Sequence, residues 1–447
     1  MLFKNKEEII QNGQTPKLKQ IRNDILDVLE CATEAVDPYN CVKSRFNKNI
    51  ITLDEKTIDI SDFENVYLVG FGKASIGMAK AVCDSIKIKE GIIVTNDLNT
   101  DFECKNIYLF VGGHPIPNQN RIIGAEKILE TVEKCTKNDL LIVLISGGGS
   151  ALFSKPRISL EDLQKTTDLL LKCGANINEI NTIRKHLSYV KGGQLAKCAK
   201  CTVVSLIISD IIGDPLEFIA SGPTYPDSTT FSDAEKILQK YNLWQDLPDS
   251  IKNTIEDGLK GKISETPKKN DPVFENVFNF IIANNKIACK AAEDKAEELG
   301  YKTMLLTTRL DGEAKSVGKY LSDKAISYLA DVQKIMFISG GETIVNIIGE
   351  GKGGRNQELV LSCVKNIYKK NIAFSSFATD GIDGNSDAAG AIADGFTFEK
   401  AQYKNMNPDA FLKENNSNKF FKNLSDLFTT GPTGTNVMDI QIIVKYA

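Results

Sequence analysis

At 447 residues the chain is longer than one ordinary core supports, so two domains are expected. Hydrophobic residues make up 42% and charged residues 25%, and 54 basic against 58 acidic side chains leave a net charge of -4. That is a globular composition with no long run of either sign, so no nucleic-acid partner is expected. The opening MLFKNKEEII puts charges where a signal peptide needs an apolar core. No apolar run reaches membrane-spanning length either, so a cytoplasmic location and no membrane partner are expected. Of ten scattered cysteines, only Cys198 and Cys201 form a CxxC, without the second pair or histidine of a zinc site. Reduced structural thiols are the expected state.

From Lys6 to Lys43, Ile21, Ile25, Leu29, Ala32 and Val36 recur at helical spacing, which predicts a leading helix on the first domain ending near Asp37-Pro38. Val66 to Gly70 reads as a buried strand opening into Gly70-Phe71-Gly72-Lys73-Ala74-Ser75 and a helix from Ala74 to Ile86. This turn fails the dinucleotide fingerprint, where Ser75 replaces the third glycine, and the P-loop, where Tyr67 replaces a glycine. A lysine in the first turn of a helix opposes the macrodipole at a cost of about 0.3 to 1 kcal/mol unless an anion is bound. Lys73 therefore marks an anion site, the alternative being a lysine reaching into solvent. Gly91 to Thr95 and Ile107 to Val111 are further strands, the second leading into Gly112-Gly113-His114-Pro115-Ile116-Pro117-Asn118. His114 is read as a general base, an oriented hydrogen-bonding group or a structural histidine.

The run Leu140 to Ile145 fits a strand buried on both faces of a parallel sheet, and it stops at Ser146-Gly147-Gly148-Gly149-Ser150. Three glycines and successive amides suit a phosphate cradle; a flexible connection is the alternative. Ile183-Arg184-Lys185-His186 is read as a solvated basic face, or else the mouth of an anionic pocket. Thr202 to Ile208 is the next buried strand, ending at Ser209-Asp210-Ile211-Ile212-Gly213-Asp214 before a Ser221-Gly222-Pro223-Thr224 turn. Ligands in open α/β sheets bind beyond the carboxyl ends of strands, which makes Asp210 the first choice for a metal-directing or proton-accepting carboxylate, with Asp214 beside it. Helix capping is the plainer role for Asp210.

Leu243 to Asp271 is polar and is expected to connect the domains, with the boundary at 243/244 and a second α/β run from Val277. In that run, strand Lys334 to Ile338 ends in Ser339-Gly340-Gly341-Glu342-Thr343, and Gly351-Lys352-Gly353-Gly354-Arg355-Asn356-Gln357-Glu358 follows. Arg355 sits where glycines hand over to a helix, and its planar fork suits phosphate or carboxylate. A salt bridge to Glu358 is the alternative. Asp380 to Asp387 mimics a calcium loop at Asp383, Asn385 and Asp387, then breaks at Ala388 and Asp394, which leaves magnesium steering, hydroxyl binding or the capping of a helix from Ala388. The chain closes with a Thr430 to Asn436 turn containing Thr433 and a strand from Asp439 to Val444.

Together GFGKAS, GGHPIPN, LISGGGSAL, INTIRKHLSYVKGGQLA, SDIIGDPLEFIASGPTYPDS, SGGETIVNIIGEGKGGRNQEL, TDGIDGNSDAAGA and TGPTGTNVMD resemble, in family order, the class II glycerate 2-kinases with a C-terminal MOFRL module. The resemblance implies two α/β domains, 1–243 with a Rossmann-like, doubly wound, mostly parallel sheet and 244–447 with the module at about 334–445, and an active site in the cleft between them. It implies magnesium-dependent transfer of the ATP γ-phosphoryl group to the 2-hydroxyl of D-glycerate. Lys73 and Arg355 fall on the family's active-site lysine and arginine, while Asn118 stands where an acidic residue is expected.

Phosphoryl transfer asks mainly for positioning and charge neutralisation. The expected roles are therefore phosphate binding at Gly72 and Ser146 to Ser150, catalysis by Lys73, Arg355 and Asp210, and magnesium at Asp210 and Asp214. His114, Glu342, Asn356, Asp380, Asp387 and Thr433 are expected to line the substrate cleft. A homodimer is left open. The rivals are a hydroxypyruvate reductase, opposed by Ser75, a serine hydrolase, opposed by Leu152 in the elbow pattern, and a non-catalytic nucleotide or sugar-phosphate binder.

Overall fold

The computed structural model describes residues 1–96, 102–112, 119–328 and 334–447, so His114 and Asn118 lie outside the described residues. Two compact units result, one of Pro38–Ser209 with Asp214–Ile282, the other of Met1–Asp37, Asp210–Gly213 and Ala283–Ala447. This division differs from the expected one at 243/244 in two ways. The leading helical segment belongs to the second unit, and the strand Val277–Ala283 ends the sheet of the first rather than opening the second. An apolar stripe or run shows that a segment is buried, not which sheet buries it.

The sheet of the first unit runs in the order Ile107–Val111, Glu90–Thr95, Val66–Phe71, Leu140–Ile145, Thr202–Ile208, Val277–Ala283, and its first five strands are parallel. Numbered along the chain this is the doubly wound order 3-2-1-4-5-6. Every residue of Val66–Phe71 and Leu140–Ile145 is buried, as continuous apolar runs in a covered parallel sheet require. A helical cluster beside it packs Leu170, Ile183, Phe231, Leu238, Ile251 and Ile255, so the expected polar connection contributes a core helix, Asp249–Leu259. A small antiparallel sheet, Phe46–Asn47, Ile50–Leu53 and Lys56–Asp59, went unread in the sequence.

In the second unit the strand order is Lys302–Leu310, Lys334–Gly341, Asp439–Tyr446, Ile372–Ala378, Gly390–Asp394, Leu427–Phe428, with only the first pair parallel. The helix Pro16–Glu34, capped by Thr15, carries Arg22 into this unit. Arg22 is fully buried and bonded to Asp394 and Asp426, which answers its desolvation. The helix expected from Ala388 is instead the strand Gly390–Asp394, paired with Ile372–Ala378. The expectation of reduced thiols needs correcting at one pair, since Cys83 and Cys104 form a disulfide. Among the described residues no helix is long and apolar enough to cross a membrane.

Candidate functional site

Successive connections of the first sheet leave Val66–Phe71 and Leu140–Ile145 toward opposite sides, and ligands bind beyond strand ends at such a switch point. The turns after these two strands interlock there. The Lys73 amide donates to the Gly147 carbonyl at 2.9 Å, and the Ala74 amide to Ser146 Oγ at 3.1 Å. Gly72 has a φ of +127°, and a Cβ on it would lie 2.2 Å from Ser146 Oγ, so close approach of the turns depends on that glycine. Gly148, at φ +80°, lies under the stem of Lys73, where a Cβ would meet Lys73 Cγ at 3.4 Å. Lys73 is exposed, and no carboxylate pairs with it among the described residues. Thus Gly72, Lys73 and Ser146 to Ser150, separated in sequence, are brought together.

Ser150 also lines a cavity of about 320 Å³ with Arg121, Ser154, Arg184, Lys191 and Ser221. Its Oγ is 2.8 Å from Ser221 Oγ, and Lys191 Nζ donates to its carbonyl at 2.5 Å. Ala220 and Ser221 hold left-handed backbone at φ 49° and 62°, a strained pair of the kind concentrated at functional sites. Lys191 is buried without an ion pair among the described residues. Burial, with Arg184 and Arg121 as like-charged neighbours, pulls Lys191 down to about 7. Buried Arg121 reaches the Ala151 carbonyl at 3.3 Å while its Nε has no partner among the described residues.

The run Arg184-Lys185-His186 is not a solvated face. Consecutive residues on a helix point in different directions, and each of these meets a different fate. Arg184 lines the cavity, whereas Lys185 is buried against Asp227 at 2.6 Å and Glu217 at 2.8 Å. His186 is buried between the Thr182 carbonyl and Glu265.

In the second unit a cavity of about 500 Å³ gathers Glu342, Gly353, Gly354, Arg355, Glu358 and Asn415 among its lining. Arg355 does not pair with Glu358. It grips Asp439 with Nε at 2.6 Å and Nη2 at 3.0 Å, and Glu342 with Nη1 at 2.5 Å. Burial opposes its charge, but Asp439 and Glu342 outweigh it and hold Arg355 above the usual arginine range. The first amides of the helix Arg355–Cys363 are also taken: Asn356 and Gln357 donate to Asp383 at 3.0 and 2.9 Å. The carboxylate that mimicked a calcium ligand is therefore a cap supplied from another segment.

The other expected cleft residues scatter. Asn356 is buried, bonded to Asp383 and Ser376. Thr433 donates to the Thr379 carbonyl and its amide reaches the Asp380 carbonyl, while Asp387 is exposed beside Lys352. Asp210 and Asp214 each have neighbours in contact, and no group of three or more His, Cys, Asp or Glu among the described residues is arranged to hold a metal.

Arg121, Lys191, Asp439 and the capping role of Asp383 were not read from the sequence. Lys191 had a signal: like Lys73 it adjoins glycine, here Gly192 and Gly193, which have φ of +57° and +79°. A doubly wound sheet with cations and amides at its switch point, joined in one chain to a mixed α/β unit, defines a two-module α/β protein. Residues 24–256 match a family described as a domain of unknown function, DUF4147, and residues 335–439 match the MOFRL family. The chain is 45% identical to a glycerate 2-kinase of Pyrococcus horikoshii, over 92% of this chain and 94% of that one. It is 38% identical to a D-glycerate 2-kinase of Thermotoga maritima, over 93% and 96%. A crystal structure of glycerate kinase from Thermotoga maritima superposes with a TM-score of 0.85 at 37% identity, covering 96% of this chain and all of that one. The chain belongs to this glycerate kinase family.

Proposed function

We propose that the protein is an ATP-dependent glycerate 2-kinase, moving the γ-phosphoryl group of ATP to the 2-hydroxyl of D-glycerate to give 2-phospho-D-glycerate and ADP. The carrying observation is Lys73, unpaired among the described residues and laid across the glycine turn Ser146 to Ser150 at the switch point of a doubly wound sheet. Such a turn can present amides to phosphate oxygens while the lysine neutralises charge on the transferred group. Arg355 is proposed as a further catalytic residue, a donor suited to phosphate or carboxylate. Asp439 and Glu342 fix the orientation of its planar fork and, among the described residues, leave an N–H on each Nη uncommitted.

Magnesium, when bound with ATP, supplies further charge neutralisation. Magnesium sites of this kind take one or two carboxylates plus the phosphates rather than a protein cage. Asp210 and Asp214 are the proposed ligands, with Asp210 alternatively receiving the proton of the attacking hydroxyl.

A nicotinamide reductase is not favoured. Ser75, in place of the third fingerprint glycine, is buried and bonds back to the Gly72 carbonyl at 2.7 Å. The test is ADP release coupled to a spectrophotometric readout with D-glycerate, L-glycerate and tartronate, the product being matched to authentic 2- and 3-phosphates by mass spectrometry. Turnover with D-glycerate to the 2-phosphate is expected. ATP binding without turnover of any hydroxy acid would make the protein a regulator, and NADH oxidation with hydroxypyruvate would restore the reductase.

A further inference from the structure

The cavity beside the glycine turn holds more positive charge than its own residues balance. Arg121 comes from the helix Gln119–Lys134, Arg184 from Ile177–His186, and Lys191 from the turn before Gly192. Among the described residues none of the three has an ion pair. Among the described residues the one carboxylate on the wall is Asp168 of Leu160–Lys172, which is exposed. Buried charges are ordinarily paired, and like charges crowded together cost stability without giving anything to the fold. By contrast, Arg22, Lys185 and Arg355 each hold two carboxylates. The unpaired set is therefore matched to a negative group from outside.

We propose that the cavity bounded by Arg121, Arg184 and Lys191 seats the carboxylate of the small hydroxy acid. These three side chains, rather than the glycine turn, make the enzyme accept an acid in place of a neutral alcohol. The proposal rests on the kinase reading above. An oxyanion here has two sources, the acid or the terminal phosphates of the nucleotide, and three observations favour the acid. The volume is about 320 Å³, at the small end for ligand clefts. Among the described residues no aromatic side chain lines it to stack on a base, whereas Ser150, Ser154 and Ser221 offer hydroxyls to a compact polyol acid. Ser150 belongs to both places, its carbonyl held by Lys191 and its Oγ touching Ser221, so an acid seated here has its hydroxyl beside the turn assigned to phosphate.

Lys191 adds a second signature. The charged groups facing it are Arg184 and Arg121, with Asp168 at the rim, and the two arginines help bring it down to about 7. A carboxylate set among them reverses the balance, so acid binding above pH 7 takes up a proton at this amine.

The deciding variant is Arg184→Gln in the full chain, because the Arg184 side chain makes no hydrogen bond or ion pair among the described residues. KM for D-glycerate is expected to rise roughly 10- to 100-fold, the range of one hydrogen bond to a charged group. KM for ATP should be unchanged, and the preference for D-glycerate over its neutral amide, D-glyceramide, should collapse. A rise in KM for ATP instead would give the cavity to the nucleotide and overturn the proposal, as would unchanged values for both substrates. Calorimetry of D-glycerate binding without nucleotide, in buffers of different ionisation heat above pH 7, should show proton uptake that Lys191→Met abolishes. No uptake by the parent chain would remove Lys191 from the seat. Should the parent bind D-glycerate through Arg184 but never phosphorylate it, the kinase reading fails and the seat stands. Turnover of D-glycerate that Arg184→Gln leaves unchanged does the reverse: the kinase reading stands and the seat is lost.

Discussion

The chain carries two turns of the same grammar, glycines ending in a cation or hydroxyl at the start of a helix, and they are completed in opposite ways. At Ser146 to Ser150 the neighbouring cations Lys73, Arg121, Arg184 and Lys191 have no carboxylate partner among the described residues. At Gly351 to Arg355 the protein supplies its own anions: Asp439 and Glu342 take the arginine, and Asp383 takes the helix amides. One turn is left open to a ligand. The other is already neutralised, and its arginine is a rigid, oriented donor rather than a free charge. Turn sequence alone, then, does not define an anion site; the sign of what surrounds it does.

The largest effects should separate the two turns by what else is lost. Lys73→Met is expected to lower kcat by roughly 10³ to 10⁵, the scale of a cation stabilising a phosphoryl transition state, with the melting temperature unchanged because Lys73 is exposed and unpaired among the described residues. Near-normal turnover would take Lys73 out of catalysis. Arg355→Lys should lose turnover and melting temperature together, since a lysine keeps the charge but cannot hold Asp439 through two bonds. A fall in melting temperature without loss of activity would make Arg355 structural only.

Next in size is Arg22→Met, which leaves Asp394 and Asp426 buried without their partner and should cost about 3–5 kcal/mol in chemical denaturation. A smaller effect, about 0.5–2 kcal/mol, is expected for Asp383→Asn, which weakens the cap on Asn356 and Gln357. That variant sharpens the contrast directly: sulfate should raise its melting temperature more than it raises that of the parent, because the amides of Asn356 and Gln357 then lack their internal anion.

The most gradual effect is a pH slope. Lys191 binds its proton less tightly in the folded chain, at about 7 against 10.5, so between these values the unfolded chain holds more protons and stability rises with pH. The cost of the buried charge is full below pH 7 and is relieved toward 10.5. Its share is at most about 1.4 kcal/mol per pH unit, read as the difference between the parent and Lys191→Met in denaturation curves across that window. Parallel curves for the two proteins would contradict it.

Much of this was legible in the sequence, for local reasons. Apolar runs placed the strands Leu140–Ile145, Thr202–Ile208 and Val277–Ala283 at their observed bounds; the first two are short and continuous because they are buried on both faces, the third because it packs at the half-buried edge of the same sheet. The glycine turns and Lys73 were visible because close backbone approach leaves few residue choices. The disulfide between Cys83 and Cys104 was not, since their spacing matches no recognised pattern.

Sequence by itself determined the family, the alternation of strands and helices, and the turns where backbone comes close. Tertiary structure alone decided which charges meet: Arg22 finds Asp394 across 372 residues, Arg355 finds Asp439 across 84, and Arg121, Arg184 and Lys191 share a cavity with no buried acid among the described residues to answer them. Periodicity and turn chemistry are properties of neighbouring residues, whereas electrostatic completion depends on distance in space and on burial, and neither is written in any short stretch of chain.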